Sequence, residues 1–454
     1  MAGSPETHRQ VFCPAKLIWR EIRETPCRLA IRFAMIFGGL GLIVRVLLLI
    51  ISGNTPIGPL SGVGDQVRYR TLADNLYEGR GFTYAAQPTA LRPPLYPVFL
   101  AAMRFLFGSH HFLAARCFQF LAAIAMAYLC LLLARRLFGI ESGILAGSFA
   151  LAMPSLALVM TELQAEALTA CATLLFLCLL VDAFDGSTRA APWLGLVSGL
   201  AALLRFNSVL LLAFAVAVSL RNRRILRSAL FVCLAASLVL APWIIRNARA
   251  FHGRILFSSQ GGVNLLQGVL SPQGRAQADD PELPRAAVGW LHTDIETNNA
   301  SRVRYPSEDV LDRQARAAAF QAWKQLDARA AVRLFAVKVS AFVFSTDQLL
   351  ETASFTRKQR LVRAAGVVCY WCVLVLAVMG WARLVKLERS LALWLGSYVL
   401  LVILVHLPFV MNTRLRIPFL DALLAVLAGG GLSLLLEKYQ RPRSGALVYE
   451  GAQQ

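Results

Sequence analysis

The sequence predicts an all-α polytopic membrane protein, and three observations carry that expectation. Of the 454 residues, 57% are hydrophobic and only 16% charged, whereas soluble domains carry roughly a quarter charged residues. Several apolar runs reach the roughly 20 residues that a helix needs to cross a bilayer. Basic residues also gather where apolar segments end, at Arg135-Arg136, Arg221 to Arg227, Arg383 to Arg389 and Lys438 to Arg443.

The net charge of +20 is therefore read as the bias of short cytoplasmic loops toward Lys and Arg, with membrane lipids rather than nucleic acid as the partner. About ten spans (8–13) are expected, near 33–51, 112–134, 140–160, 163–183, 192–205, 207–220, 226–245, 362–382, 391–411 and 416–436. The fifth and sixth form a tight hairpin with its tip at Arg205-Phe206-Asn207. An even count leaves both basic termini in the cytoplasm. Two further apolar stretches, near 95–107 and 331–345, would invert the charge bias if they spanned, and are read as juxtamembrane helices on the outer face. The first apolar run follows about 30 polar and basic residues and is a signal anchor rather than a cleavable signal peptide.

This organisation divides the chain into five parts. A basic N-terminus (1–32) precedes a membrane module (33–245) that includes an outer loop, 52–111. An outer loop region (246–360), C-terminal membrane helices (361–436) and a cytoplasmic tail (437–454) follow. The stretch Ser271 to Pro306 is the most loop-like part. Of nine cysteines, seven lie in or beside apolar runs and Cys13 and Cys27 in the basic N-terminus, which indicates neither a disulfide framework nor a metal site. The histidines show no metal spacing.

Candidate chemistry sits at the outer ends of the spans. Positions 67–76 fit a short amphipathic helix with Asp65 at its start, where Asp is either an N-cap or a functional carboxylate. Glu162 and Glu166 are four apart, on one face if the segment is helical. Carboxylates near the membrane are costly and are candidates for function, with capping or contact with interfacial water as the alternative. Arg68, Arg92, Arg246, Arg414 and Arg416 lie at outer ends of apolar segments. Guanidinium forks match phosphate geometry, so these arginines hold either an anionic lipid ligand or ordinary phospholipid headgroups. Arg45, inside the first span, is assigned to snorkelling or helix pairing.

The order of several motifs resembles the GT-C glycosyltransferases. Asp65-Gln66-Val67-Arg68-Tyr69, a Gly81-Phe82 turn and Arg92-Pro93-Pro94-Leu95-Tyr96-Pro97 look like the first outer loop of that superfamily. The similar group spans protein O-mannosyltransferases, lipid A aminoarabinose transferases and related bacterial lipid-sugar transferases. Further matches are Ala134 to Gly139, Pro154 with Glu166, Leu204-Arg205, Pro242 to Asn247, Gly261-Gly262-Val263-Asn264-Leu265 and Arg414 to Pro418. The resemblance implies a GT-C-like helical bundle in the cell inner membrane with its active site on the periplasmic side. It implies transfer of a hexosyl or pentosyl unit from a polyprenyl-phosphate donor to a periplasmic glycan, lipid or protein acceptor. In residue terms it implies Asp65 as the catalytic acidic residue, a general base on the acceptor hydroxyl or an organiser of it, and Glu166 as the second acid; Glu162, four residues before it, is a further candidate. Arg68, Arg92, Arg246 and Arg414 would meet the donor phosphate, and Tyr69, Tyr96 and Asn264 the substrate. No cofactor is implied. Gln66 departs from the Asp-Glu pair of many relatives, so acceptor contacts and any metal dependence tied to that pair do not carry over.

Two other classes compete. An O-antigen polymerase or ligase places its large loop late and lacks an acid-Arg-Pro-Pro loop after the first span. A transporter of lipid-linked saccharide commonly carries an internal repeat, and none is seen here.

Overall fold

The computed structural model describes residues 28–57, 63–84, 86–220, 226–270, 307–345, 357–411 and 413–440. The N-terminal segment with Cys13 and Cys27, the stretch 271–306 and the tail beyond 440 lie outside them, as does most of the basic run at Arg221 to Arg227. Seven of the described helices are long and apolar enough to cross a membrane, and three shorter apolar helices, Ile140–Ala152, Ala190–Leu204 and Phe206–Ser219, accompany them.

The first span is α1 (Arg28–Ser52). The first outer loop then forms α2 (Val63–Tyr77), a two-stranded hairpin, β1 (Thr83–Tyr84) with β2 (Gln87–Pro88), and α3 (Leu95–Phe107). The hairpin was not legible in the sequence: its two strands of two residues each are too short to show alternation. Next come α4 (His111–Phe138), α5 (Ile140–Ala152), the short α6 (Pro154–Leu158), α7 (Glu166–Phe184), α8 (Ala190–Leu204), α9 (Val209–Ser219) and α10 (Leu226–Ala250). The second outer region contributes α11 (Gly261–Leu270), α12 (Glu308–Gln325) and α13 (Ala328–Phe344). The bundle closes with α14 (Arg357–Leu387), α15 (Arg389–His406), the turn α16 (Thr413–Arg416) and α17 (Ala422–Gln440). A single π turn, Ile417–Asp421, joins α16 to α17 and absorbs Pro418.

The third expected span, 140–160, is shorter than predicted. A residue before proline avoids the helical region, and Met153 is extended at φ −66° and ψ 119°, which ends α5 at Ala152. The break strips carbonyls of their helical partners, and Arg45 of α1 takes them up. Its guanidinium donates to Ala150 O (2.7 Å), Leu151 O (3.0 Å) and Leu156 O (3.0 Å). Gly41 brings α1 this close, because a Cβ there would stand 2.5 Å from Leu151 O. Arg45 is fully buried, so the structure decides for helix pairing over snorkelling. In lipid such close approaches and polar contacts hold helices together, since apolar burial alone gains little there.

Ion pairs sort the helix ends into two sides. Asp65 after α1, Glu166 at the start of α7, Arg205 after α8 and Arg414 before α17 are linked to one another. The basic ends gather elsewhere, with Arg136 on Asp185 (2.5 Å) and Arg383 on Glu437 (2.8 Å). These are the ends that the charge bias assigns to opposite sides.

Candidate active site

The site grows from the first turn of α2. Asp65 is the third residue of that helix, three positions past the N-cap, and its carboxylate turns to arginines. Arg68, one turn on, comes within 3.8 Å of Oδ1. Arg92 pairs with the same oxygen, and its Nη1 donates to Gln260 Oε1 at 2.9 Å. Pro93 and Pro94 follow Arg92 and restrict the backbone that carries it. Oδ2 receives Arg414 Nη1 at 2.8 Å.

Arg414 bridges to the second acid. Its Nε lies 2.5 Å from Glu166 Oε1, and Arg205 Nη1 approaches the same oxygen at 2.6 Å. The cluster thus joins four arginines and two carboxylates drawn from five separate stretches of chain. Burial would raise the Asp65 pKa, but Arg92, Arg414, Arg68 and Arg205 together hold it below the ordinary carboxylate range.

Exposure divides the two acids. The Asp65 side chain is 22% exposed and that of Arg414 31%, against 1% for Glu166. Asp65 is therefore partly open to solvent, whereas Glu166 is enclosed behind the two arginines it holds. Glu162 is elsewhere again. It lies in the turn between α6 and α7, so it shares no helix face with Glu166, contrary to the expectation from their spacing. Its Oε2 accepts from the Gln66 amide at 2.5 Å, and Gln66 Oε1 accepts from Leu163 N at 3.1 Å. The departure at Gln66 has a local reason: a glutamate there would set one carboxylate against another in a buried place, which is unfavourable for both.

The rest of that turn is held from α4. Arg116 donates to Thr161 O (2.8 Å), Gly53 O (3.0 Å) and Thr55 O (2.8 Å). Gln119 donates to Met160 O (2.6 Å) and Glu162 O (2.9 Å) and accepts from Tyr96 Oη (2.6 Å). The Tyr96 hydroxyl is thereby committed to the frame, and its ring meets Tyr69 edge-on at 5.0 Å. Tyr69 is buried beneath the Arg92 guanidinium, 5.8 Å from its ring centre. Asn264 is exposed on α11, one turn beyond the Gln260 that contacts Arg92.

Arg246 has a different place from the one expected. Its fork donates to Thr89 O and Phe82 O, both at 2.7 Å, and to Asn247 Oδ1 at 2.8 Å, so it braces the hairpin loop rather than joining the cluster. Arg416 is likewise turned inward, onto Asp421 (2.7 Å) and the carbonyl of Phe342 (3.0 Å). Arg205 and Gln260 were not singled out from the sequence as site residues. The rule that drew attention to Arg92, an arginine at the outer end of an apolar segment, applies equally to Arg205 at its hairpin tip. Among the described residues, no group of three or more His, Cys, Asp or Glu side chains could hold a metal ion.

The chain is similar to three solved structures to different degrees. The chain superposes on the oligosaccharyltransferase of Archaeoglobus fulgidus in its apo form with a TM-score of 0.52 at 14% identity, over 90% of this chain and 51% of that one. The same organism's oligosaccharyltransferase AglB, in complex with an inhibitory peptide and a dolichol-phosphate, gives 0.50 at 14% identity, over 93% and 53%. This chain thus spans about half the length of the archaeal enzyme. ArnT from Cupriavidus metallidurans bound to undecaprenyl phosphate aligns over 88% of this chain and 78% of its own, at 14% identity and a TM-score of 0.41. No curated protein matches the chain. The chain accordingly carries a helical membrane fold similar to that of the archaeal oligosaccharyltransferase. Within it, residues 91–245 match the family model described as Dolichyl-phosphate-mannose-protein mannosyltransferase.

Proposed function

We propose that this protein is a multi-pass membrane glycosyltransferase that moves a sugar from a polyprenyl-phosphate donor to an acceptor hydroxyl, with Asp65 as general base. One observation carries the reading. Arg92 and Arg414 converge on the partly exposed carboxylate of Asp65, and Arg414 and Arg205 on the buried Glu166 behind it, so positive charge is gathered beside a carboxylate that a ligand can reach. A phosphate monoester leaving group carries charge of the opposite sign.

The chemistry follows from the placement. The acceptor oxygen attacks the anomeric carbon, its proton passes to Asp65, and the bond from the anomeric carbon to the phosphate oxygen breaks. Polyprenyl phosphate leaves with the electron pair and is held by the guanidinium groups, a contribution of electrostatic preorganisation. A carboxylate tied to arginines is a weak base. A phosphate that draws Arg92 and Arg414 toward itself removes that restraint and raises the basicity of Asp65. Glu166 keeps Arg205 and Arg414 in position throughout. The leaving lipid stays in the bilayer, which suits a site at the ends of membrane helices.

The site is assigned to the periplasmic face of the inner membrane, with residues 52–111 and 246–360 outside and both termini in the cytoplasm. The distribution of basic ends supports this orientation. Single cysteines at Gln87 and Gln325, in a background without the native cysteines, should react with an impermeant thiol reagent in intact spheroplasts; protection of both reverses the topology. The activity itself is tested with purified protein in nanodiscs, an alcohol acceptor, and sugars linked to polyprenyl monophosphate or pyrophosphate. Release of polyprenyl phosphate from the monophosphate series is expected. Use of pyrophosphate donors alone would exclude this reading and favour a polymerase or ligase.

A further inference from the structure

The second outer region reaches back onto the first at a buried junction that the chemistry above does not use. Glu308, the first residue of α12, places Oε1 2.5 Å from Thr89 Oγ1 and Oε2 2.9 Å from Ala90 N. The Thr89 hydroxyl oxygen also accepts from Leu91 N at 3.2 Å, which extends the hold to the residue next to Arg92. Ala90 O accepts from Ser259 N at 3.2 Å, and Arg246 takes Thr89 O from the other side. Thr89 and Ala90 are fully buried.

We propose that Glu308 is a positioning residue for Arg92: it fixes the strap 89–91 so that the Arg92 guanidinium is presented to Asp65. The proposal rests on the reading of Arg92 as a ligand of the donor phosphate. Upstream of Arg92 the chain is pinned by Glu308 and Arg246, and downstream by Pro93 and Pro94. The side chain itself is steadied by Gln260 at the start of α11. Helices α11 and α12 act on the strap together, because they are pressed into one unit. Gly262 N donates to Asp312 Oδ1 at 2.5 Å, and a Cβ on Gly262 would stand 2.1 Å from Asp312 O.

A carboxylate is suited to this place and unusual in it. Burial alone raises the Glu308 pKa, against the opposing pull of Ala90, Thr89, Ser259 and Arg246. A carboxylate accepts at both oxygens, and here one answers the Thr89 hydroxyl and the other the Ala90 N–H. Loss of such a contact moves the effect into orientation of Arg92, and orientation is read in donor binding.

The test is a double-mutant cycle with purified enzyme, varying donor and acceptor separately in wild type, Glu308→Ala, Arg92→Lys and the double variant. Glu308→Ala should raise the donor KM by up to about tenfold, the scale of one net hydrogen bond, and leave the acceptor KM in place. Added to Arg92→Lys it should cost little more, since coupled residues are not additive. Full additivity, or an effect on the acceptor KM instead, overturns the proposal. Amide hydrogen exchange at Ala90 and Leu91 reads the latch without any substrate: it should speed up in Glu308→Ala, and unchanged exchange also overturns it. An Arg92→Lys enzyme with normal donor KM, beside faster exchange in Glu308→Ala, would sink the phosphate reading while leaving the latch standing. If Glu308→Ala does not fold, Thr89→Val removes one of the two contacts and is read in the same way.

Discussion

Two sets of arginines gather at the same end of this bundle, and they do different things. Arg68, Arg92, Arg205 and Arg414 face carboxylates. Arg45, Arg116 and Arg246 grip main-chain carbonyls at helix breaks and loops. A carboxylate is a partner that an incoming phosphate can replace, because the guanidinium exchanges one anion for another. A carbonyl at a broken helix has no substitute partner in lipid, where each unsatisfied backbone group costs several kcal/mol. The first set is therefore the one we assign to a ligand, and the second to stability. The same residue type, with the same charge, is told apart by its acceptor.

The largest effect is expected at the centre of the first set. Asp65→Asn keeps the size of the side chain and leaves the fold intact, but it removes the base. Transfer should fall by about 10²–10⁴-fold at equal membrane expression, with donor still bound. Near-normal turnover would end the base assignment. Arg92→Lys keeps the charge and loses the planar fork. One charge-assisted hydrogen bond is worth about 1.5–3 kcal/mol, so kcat/KM for the donor should drop about 10- to 100-fold with unchanged thermal stability. Wild-type kinetics in that variant would mean that a point charge suffices.

Arg45→Met probes the second set. It strips the donors from Ala150, Leu151 and Leu156, and the expected result is a lower melting temperature in detergent and a poorer yield of folded protein. The fraction that folds should keep its specific activity. A stable but inactive Arg45→Met protein would move Arg45 into the functional set.

The sequence made the bundle legible because lipid imposes one rule on every span: about 20 apolar residues with all backbone groups satisfied. Asp65, Arg68, Arg92 and Arg414 were legible as members of ordered motifs, and the structure brings them together. What the sequence leaves open is the partner. Nothing in Pro242 to Asn247 says whether Arg246 looks toward Asp65 or toward Phe82 O, since that depends on a hairpin too short to show in the pattern. Glu162 and Glu166 share a face only if the segment is helical, and the Pro154 break with the turn that follows it keeps them apart. Gln66 shows the reverse case, a departure whose meaning became plain once Glu162 was seen beside it.

A small effect on catalysis, and the sharpest test of the comparison, is expected for Arg246→Lys. Its guanidinium spans Thr89 O and Phe82 O, and Phe82 and Trp243 lie 5.5 and 5.3 Å from it as ring neighbours. An ammonium group offers no planar fork and cannot reproduce both contacts with the same stacking. One carbonyl of the strap is then left short of a partner, at a cost of about 1–3 kcal/mol, which should appear as a lower melting temperature. The donor KM should change less than in Arg92→Lys, because Glu308 and Ser259 still hold Thr89 and Ala90. Combined with Glu308→Ala, however, the same substitution should cost more donor affinity than the two single effects predict, since the strap then loses both of its braces. If Arg246→Lys weakens donor binding as much as Arg92→Lys does, without loss of stability, Arg246 belongs with the phosphate-facing arginines. The division by acceptor type would then fail at the residue where sequence and structure differ most.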